Sequence, residues 1–361
     1  MGTDFFIDSD SSLAELISSI SVEPIISLDT EFMRESTYYP KLCLIQIATP
    51  NLAACVDCLA DLDLSPLFKL LLEKGKSWVL HSARQDLEVI DQYANGLPSS
   101  LIDTQIAAAL LGHMPQIGLQ DIVQKRLNIE LDKSLSRTNW AKRPLATPAV
   151  KYALSDVHHL LKLWDNLYSE LEKHGRISWF EEDCQQALGA PLVTPTLTLW
   201  ERLKGLSSLE ASSQSVALSL VEWREECAQD LDRPRRWILS DELIIRTASR
   251  SPTTHKELAA IADMPPKLIK RFGDKILAAT TNKNIDHITL VKKRLHKPRP
   301  DKNSLKQLQN LTAQRAHKLG IQPEVLATRK ELIDLLFGKP SDRIANGWRQ
   351  HEFDDFFLKE T

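Results

Sequence analysis

The sequence predicts an α/β domain with a mixed sheet over residues 1–190, followed by two small all-helical domains over 195–285 and 300–361. Three observations lead there. Apolar runs of strand length crowd residues 24–58. Strand and helix patterns then alternate as far as residue 173. Beyond Pro195 only helical periodicity is left.

Residues 24–32, 41–49 (KLCLIQIAT) and 52–58 read as strands. Pro50-Asn51 is a tight-turn signal, so these three are expected to form an antiparallel meander. Residues 64–74 read as a helix, 78–81 as a strand, 83–93 as a helix, 101–104 as a strand and 105–111 as a helix. That order predicts parallel pairing beside the meander. After residues 119–127 comes a polar stretch, DKSLSRTNWAKRPLATP. Thr147-Pro148 then opens a helix expected to reach residue 173, with Thr as N-cap and Pro at the first helical position. Residues 189–195 mark a boundary. Helices follow at 197–203, 214–231, 241–249, 255–262 and 265–279. Residues 292–302, KKRLHKPRPDK, read as a basic linker before helices at 304–319, 323–327, 329–337 and 347–358.

Composition narrows the class. The 361 residues are 43% hydrophobic, enough for two or three cores. No apolar run reaches bilayer length. The start, MGTDFFIDSD, lacks the features of a secretion signal, and residue 6 is not the Ser or Thr that myristoylation wants. A cytoplasmic protein with no membrane partner is expected. Five cysteines point to reduced thiols. Cys55-Val56-Asp57-Cys58 has no second pair at zinc spacing, so buried strand residues are the favoured reading. The net charge of −3 hides an asymmetry: residues 1–190 carry 16 Lys+Arg against 26 Asp+Glu, and residues 191–361 carry 29 against 22. An acidic front suits cation binding, and a basic back suits a polyanion.

The strand EPIISLDTEF sets two carboxylates one residue apart. Side chains i and i+2 share a face of a strand, so Asp29 and Glu31 point the same way. Like charges that close need a cation or a retained proton, and hard divalent ions with oxygen ligands meet the need. Asp86, in HSARQDLEVI, falls in the first turns of a helix. Tyr152 and Asp156, in KYALSDVHHLL, are four apart and share a helix face. Leu160 and Leu163 continue that face and mark it as inward. Asp103, in LIDTQ, fits either a place near a site at a strand end or a helix cap.

The order DTEF, HSARQDLEVI, LIDTQIAAALLG and the Tyr-x-x-x-Asp of KYALSDVHHLL resembles the ribonuclease D family. Those enzymes are 3′-to-5′ exonucleases with four acidic ligands and a tyrosine. The likeness spans residues 24–170 and includes NWAKRPL at 139–145. The helical remainder resembles paired helicase-and-ribonuclease-D C-terminal modules. The resemblance implies a ribonuclease-H-like fold for residues 1–190. It implies that Asp29, Glu31, Asp86 and Asp156 hold two divalent ions, Mg²⁺ or Mn²⁺, with Asp29 bridging both and Tyr152 positioning the attacking water. It implies release of nucleoside 5′-monophosphates from RNA with a free 3′ end, transfer-RNA precursors among them, with no obligate protein partner.

In the basic half, Arg235 and Arg236 beside Trp237, and Lys292, Lys293 and Arg294, are candidate phosphate contacts. Each run also reads as an ordinary solvated surface. Two other functions fit part of the pattern. One is the same chemistry on DNA, since no residue visibly reads a 2′-hydroxyl. The other is a catalytically inactive RNA-binding scaffold, against which stands the presence of all five side chains.

Overall fold

The computed structural model describes residues 3–132, 138–282, 284–295 and 300–357. It divides into two units. The first joins Met1–Met33, Leu42–Leu192 and Pro300–Thr361, and the second joins Arg34–Lys41 to Val193–Arg299.

The first unit is built on a six-stranded sheet: β1 (Thr3–Ile7), β2 (Ile25–Met33), β3 (Lys41–Ala48), β4 (Leu52–Asp57), β5 (Ser77–Leu80) and β6 (Ser100–Asp103), in the order β1-β4-β3-β2-β5-β6. β3 and β4 are antiparallel. β1 runs parallel to β4, and β2, β5 and β6 are parallel to one another. The expected mixed sheet is there. The sequence reading had no β1 and no α1 (Asp10–Ser21). β1 is short and leaves Phe5 and Phe6 exposed, so it lacks a clean alternation. α1 is rich in serine, a poor helix signal, and its start is fixed by a capping box between Ser9 and Ser12.

One face of the sheet packs on α1, α2 (Ser65–Leu71) and α3 (Arg84–Ala94), with Leu13, Leu67, Trp78 and Ile90 in that core. The other face packs on α4 (Thr104–Leu110), α5 (Leu119–Leu127), α6 (Thr147–His158), α7 (Leu160–Lys173) and α8 (Ile177–Gly189). The single helix expected from Thr147 to residue 173 is broken at His159, whose N–H turns back to Val157 O. The break lets α6 lie along β2 and β4 while Leu160, Leu163, Leu167 and Leu171 of α7 enter the core. Ser27 of β2 uses a carbonyl at that broken end: its Oγ lies 3.0 Å from Val157 O and 3.1 Å from Ala48 O.

Residues 300–357 belong to this same unit. They form α16 (Lys302–Leu319), α17 (Pro323–Leu326), α18 (Arg329–Leu336), α19 (Asp342–Ala345), α20 (Trp348–His351) and α21 (Asp354–Phe357). Leu305, Leu326, Leu332 and Phe353 join the core of α4–α8. Trp348 stacks on Trp179 of α8 at 4.2 Å, and the buried Arg349 pairs with Asp183. Gly347, at φ +69°, brings the backbone against the Glu182 carboxylate, where a Cβ would collide.

The second unit is helical: α9 (Thr196–Glu201), α10 (Ala211–Asp230), α11 (Arg235–Ile238), α12 (Asp241–Arg250), α13 (His255–Ala259), α14 (Pro266–Thr281) and α15 (Ile285–Leu295). Trp200, Leu218, Val221, Ile244 and Ile276 fill its core. α15 runs through Lys292–Leu295, which the sequence reading had assigned to a linker. Val291, buried on this helix, is the apolar anchor that extends it. The segment Arg34–Lys41, between β2 and β3, is part of this unit, with Tyr38 in its core.

Candidate active site

β2 enters the sheet as a buried apolar strand and turns polar at its end. Ser27, Asp29 and Glu31 alternate onto the face that α6 covers. The Ser27 bridge to Val157 fixes the register between strand and helix, one residue from Asp156 on the helix side. The result brings together three carboxylates far apart in sequence. Oxygen atoms of Asp29, Glu31 and Asp156 all lie within 4.8 Å of one another, and Asp29 and Glu31 keep part of their surface open to solvent.

Asp86 approaches from α3. Its Oδ1 accepts the Thr30 backbone N–H at 3.1 Å and the Thr30 hydroxyl at 2.6 Å. Thr30 alternates with Asp29 and Glu31, so one strand residue holds the fourth carboxylate while its neighbours build the trio. Asp103 settles which of its two expected roles it plays. It caps α4 through Gln105 N, and it also accepts the N–H groups of Ser82 and Ala83, at the turn that launches α3. It therefore fixes the helix that carries Asp86. His81 spans Thr104 Oγ1 at 2.9 Å and Ile117 O at 2.8 Å beside it.

The electrostatics follow from four acids in a desolvated space. Burial, then the charges of Asp86, Asp156 and Glu31, hold the Asp29 carboxyl well above the usual carboxylate range. Burial, then Asp156 and Asp86, push Glu31 up to about 8. Burial raises Asp86 to about 7 against the opposing hydrogen bonds of Thr30, and raises Asp156 to about 7. Among the described residues no Lys, Arg or His forms an ion pair with any of the four. An all-oxygen donor set with this unmet negative charge fits hard divalent cations.

Tyr152 lies one turn before Asp156 on α6 and is buried. Burial and the charges of Asp156, Glu31 and Asp29 raise its phenol, so it stays protonated at neutral pH. Its ring stacks on Trp140 at 6.2 Å. Trp140 belongs to the NWAKRPL block, and Arg143 of that block explains how the block is held. Its guanidinium grips Asp57 of β4 through two bonds of 2.6 and 2.5 Å, and also reaches Trp140 O at 2.7 Å and Cys43 O at 3.1 Å. Sequence reasoning missed Asp57, Trp140, Arg143 and Ser27 as supports. The signal in the sequence was a Trp and an Arg in an otherwise polar loop.

Other sequence candidates are placed as follows. Phe32 is partly buried against the α1–α3 core. Cys55 is buried and its thiol is pushed up to about 12 by burial, and Cys58 is a free, partly buried thiol. Arg235 pairs with the buried Glu225 at 2.5 Å. Arg294 lies over Trp200 and reaches Gln214 Oε1 and Ser207 Oγ at 2.9 Å. Arg236 and Lys292 are exposed. The Lys293 side chain, with Lys297 and Arg299, lies outside the described residues.

Residues 5–172 match the 3′-5′ exonuclease family, and residues 213–280 match the HRDC domain. A ribonuclease D of Desulfotalea psychrophila is 34% identical, over 97% of this chain and 96% of that one. A ribonuclease D of Xanthomonas oryzae is 33% identical, over 90% of each. The crystal structure of Escherichia coli RNase D, described as an exoribonuclease involved in structured RNA processing, superposes with a TM-score of 0.84 at 27% identity, covering 98% of this chain and 97% of that one. With an exonuclease domain and an HRDC domain matched and a relative aligned over 97% of this chain and 96% of its own, the chain belongs to the ribonuclease D family of 3′-to-5′ exoribonucleases.

Proposed function

We propose that Asp29, Glu31, Asp86 and Asp156 hold two divalent ions, Mg²⁺ or Mn²⁺, at the 3′ end of an RNA strand. The observation that carries this is the trio of carboxylates within 4.8 Å, drawn from β2 and α6, which no Lys, Arg or His among the described residues pairs with. Asp29 is proposed as the ligand shared by both ions, since its carboxyl lies in the field of Asp86, Asp156 and Glu31. When bound, the ions lower the proton affinity of an attacking water on one side of the phosphodiester and offset the charge of the departing 3′ oxygen on the other.

The chain's own groups then have separable tasks. Asp29, Glu31 and Asp156 set the position of the reacting phosphate through the ligands they supply. Thr30 keeps Asp86 ionisable by donating two hydrogen bonds to one of its oxygens. The protonated Tyr152 phenol orients the water by hydrogen bonding. The product is a nucleoside 5′-monophosphate. Structured RNA precursors, transfer RNA among them, are the proposed substrates, which the Escherichia coli relative's role supports. A cytoplasmic setting is part of this reading, and the free thiols suit a reducing compartment.

The test is incubation of 3′-labelled RNA and a matched DNA with Mg²⁺, Mn²⁺ or EDTA, with the released product identified. Mononucleotide 5′-phosphates from RNA are expected in metal and none in EDTA. Asp29→Asn is expected to bind RNA but not cut it, and near-normal turnover by that variant rejects the assignment.

A further inference from the structure

Tyr38 sits in the loop after the catalytic strand, yet it is 7% exposed. Its hydroxyl meets Glu225, Gln229 at 3.0 Å and Arg235 at 3.1 Å, and the Arg235 guanidinium lies over its ring at 4.8 Å. Asp232 Oδ1 accepts the N–H groups of Tyr38 and Tyr39 at 2.9 and 3.0 Å. Arg233 reaches Ser36 O at 3.2 Å. All of these residues belong to the second unit. The β2–β3 segment is thus stitched to the turn between α10 and α11, and Arg235 is consumed in the stitching.

What the stitching leaves outside is chemically uniform. Tyr39 is 38% exposed and Trp237 52% exposed. Arg233 lies over the Trp237 ring at 5.9 Å, and Arg236 is exposed. Two separate rings, one with a guanidinium over it, do not make the contiguous apolar patch of a protein-docking face. They match single-stranded nucleic acid, whose bases stack on aromatic rings while its phosphates meet cations. Tyr39 is also only eight residues from Glu31, so the chain cannot part them by more than about 29 Å.

Resting on the exoribonuclease reading, we propose that Tyr39, Arg233, Arg236 and Trp237 form a docking patch for the single-stranded tail of the RNA. Tyr38 is the positioning residue that fixes the half supplied by the β2–β3 segment.

The experiment is fluorescence anisotropy of a labelled single-stranded oligoadenylate with the full chain in EDTA, so that binding is read without hydrolysis. Tyr39→Ala with Trp237→Ala is expected to raise Kd about tenfold or more. Tyr39→Phe with Trp237→Phe is expected to stay within about twofold, and Arg236→Gln to reduce the salt slope by about one. Both rings are exposed, so these variants keep the fold. Tyr38→Phe is expected to weaken binding in the parent but not in the double-alanine background. Unchanged binding by the double-alanine variant overturns the patch. Equal losses from Tyr38→Phe in both backgrounds overturn the positioning role. Nucleotide release by the parent in Mg²⁺, read separately, tells failure of the patch from failure of the exoribonuclease reading.

Discussion

Replacing Glu31 by Gln is expected to stabilise the metal-free protein at alkaline pH. Glu31 rises from the ordinary 4.5 to about 8 in the folded chain. The folded state therefore binds this proton more tightly than the unfolded state. Stability falls as pH climbs from about 4.5 to about 8 and is level above that. At about 1.4 kcal/mol for each tenfold change in proton affinity, the full effect is roughly 5 kcal/mol. Glu31 is partly open to water and shares its burden with three other acids, so about 2 kcal/mol is a sounder figure. For a unit of this size that is about 4–8 °C in Tm. The assay is thermal unfolding in EDTA at pH 4, 6 and 9. The variant is expected to match the parent at pH 4 and exceed it at pH 9. Adding Mg²⁺ at about 100 times Kd is expected to raise the parent by about 2.7 kcal/mol and the variant by less. A variant no more stable than its parent at pH 9, or one displaced equally at all three pH values, refutes the reasoning.

Tyr152→Phe removes the phenol but keeps the ring against Trp140; turnover is expected to fall about tenfold while RNA affinity in EDTA is unchanged. Arg143→Ala leaves the buried Asp57 carboxylate unpaired and is expected to cost about 3 kcal/mol at pH 7 by chemical denaturation. In the parent, burial raises Asp57 but the Arg143 bonds outweigh it and hold the carboxyl below its usual range. The stabilisation is therefore present above about pH 4 and lost in acid, so the deficit of Arg143→Ala should shrink there. Ser27→Ala is expected to cost about 1 kcal/mol and to slow hydrolysis several-fold at saturating RNA, because the strand-to-helix register loses its bridge.

The acids were legible because a charged pair in an apolar strand is costly and has few explanations. Asp29 and Glu31 announced themselves by that cost, and Tyr152 and Asp156 by sharing a helix face. Their convergence was expected from the family resemblance and not from periodicity, since the break at His159 and the Ser27 bridge leave no periodic trace. The basic residues were the least legible. A guanidinium next to an aromatic reads the same whether it is left exposed, as Arg236 is, or is spent on a buried carboxylate, as Arg235 is. The helices of residues 300–357 were visible from their periodicity. Their inclusion in the first unit was not, because an amphipathic face does not name the surface that covers it.

The first unit is assembled from three stretches of chain, with Val193–Arg299 lying between the second and the third. During synthesis, at 5–20 residues per second, the sheet and α1–α8 wait about 5–20 s before Pro300 even begins to emerge. Until then Trp179 has no Trp348 to stack on, and Asp183 no Arg349. The nascent nuclease thus carries an uncovered aromatic flank through the whole manufacture of its neighbour, and a ribosome stalled in that window holds a half-built enzyme exposed to chaperones and proteases.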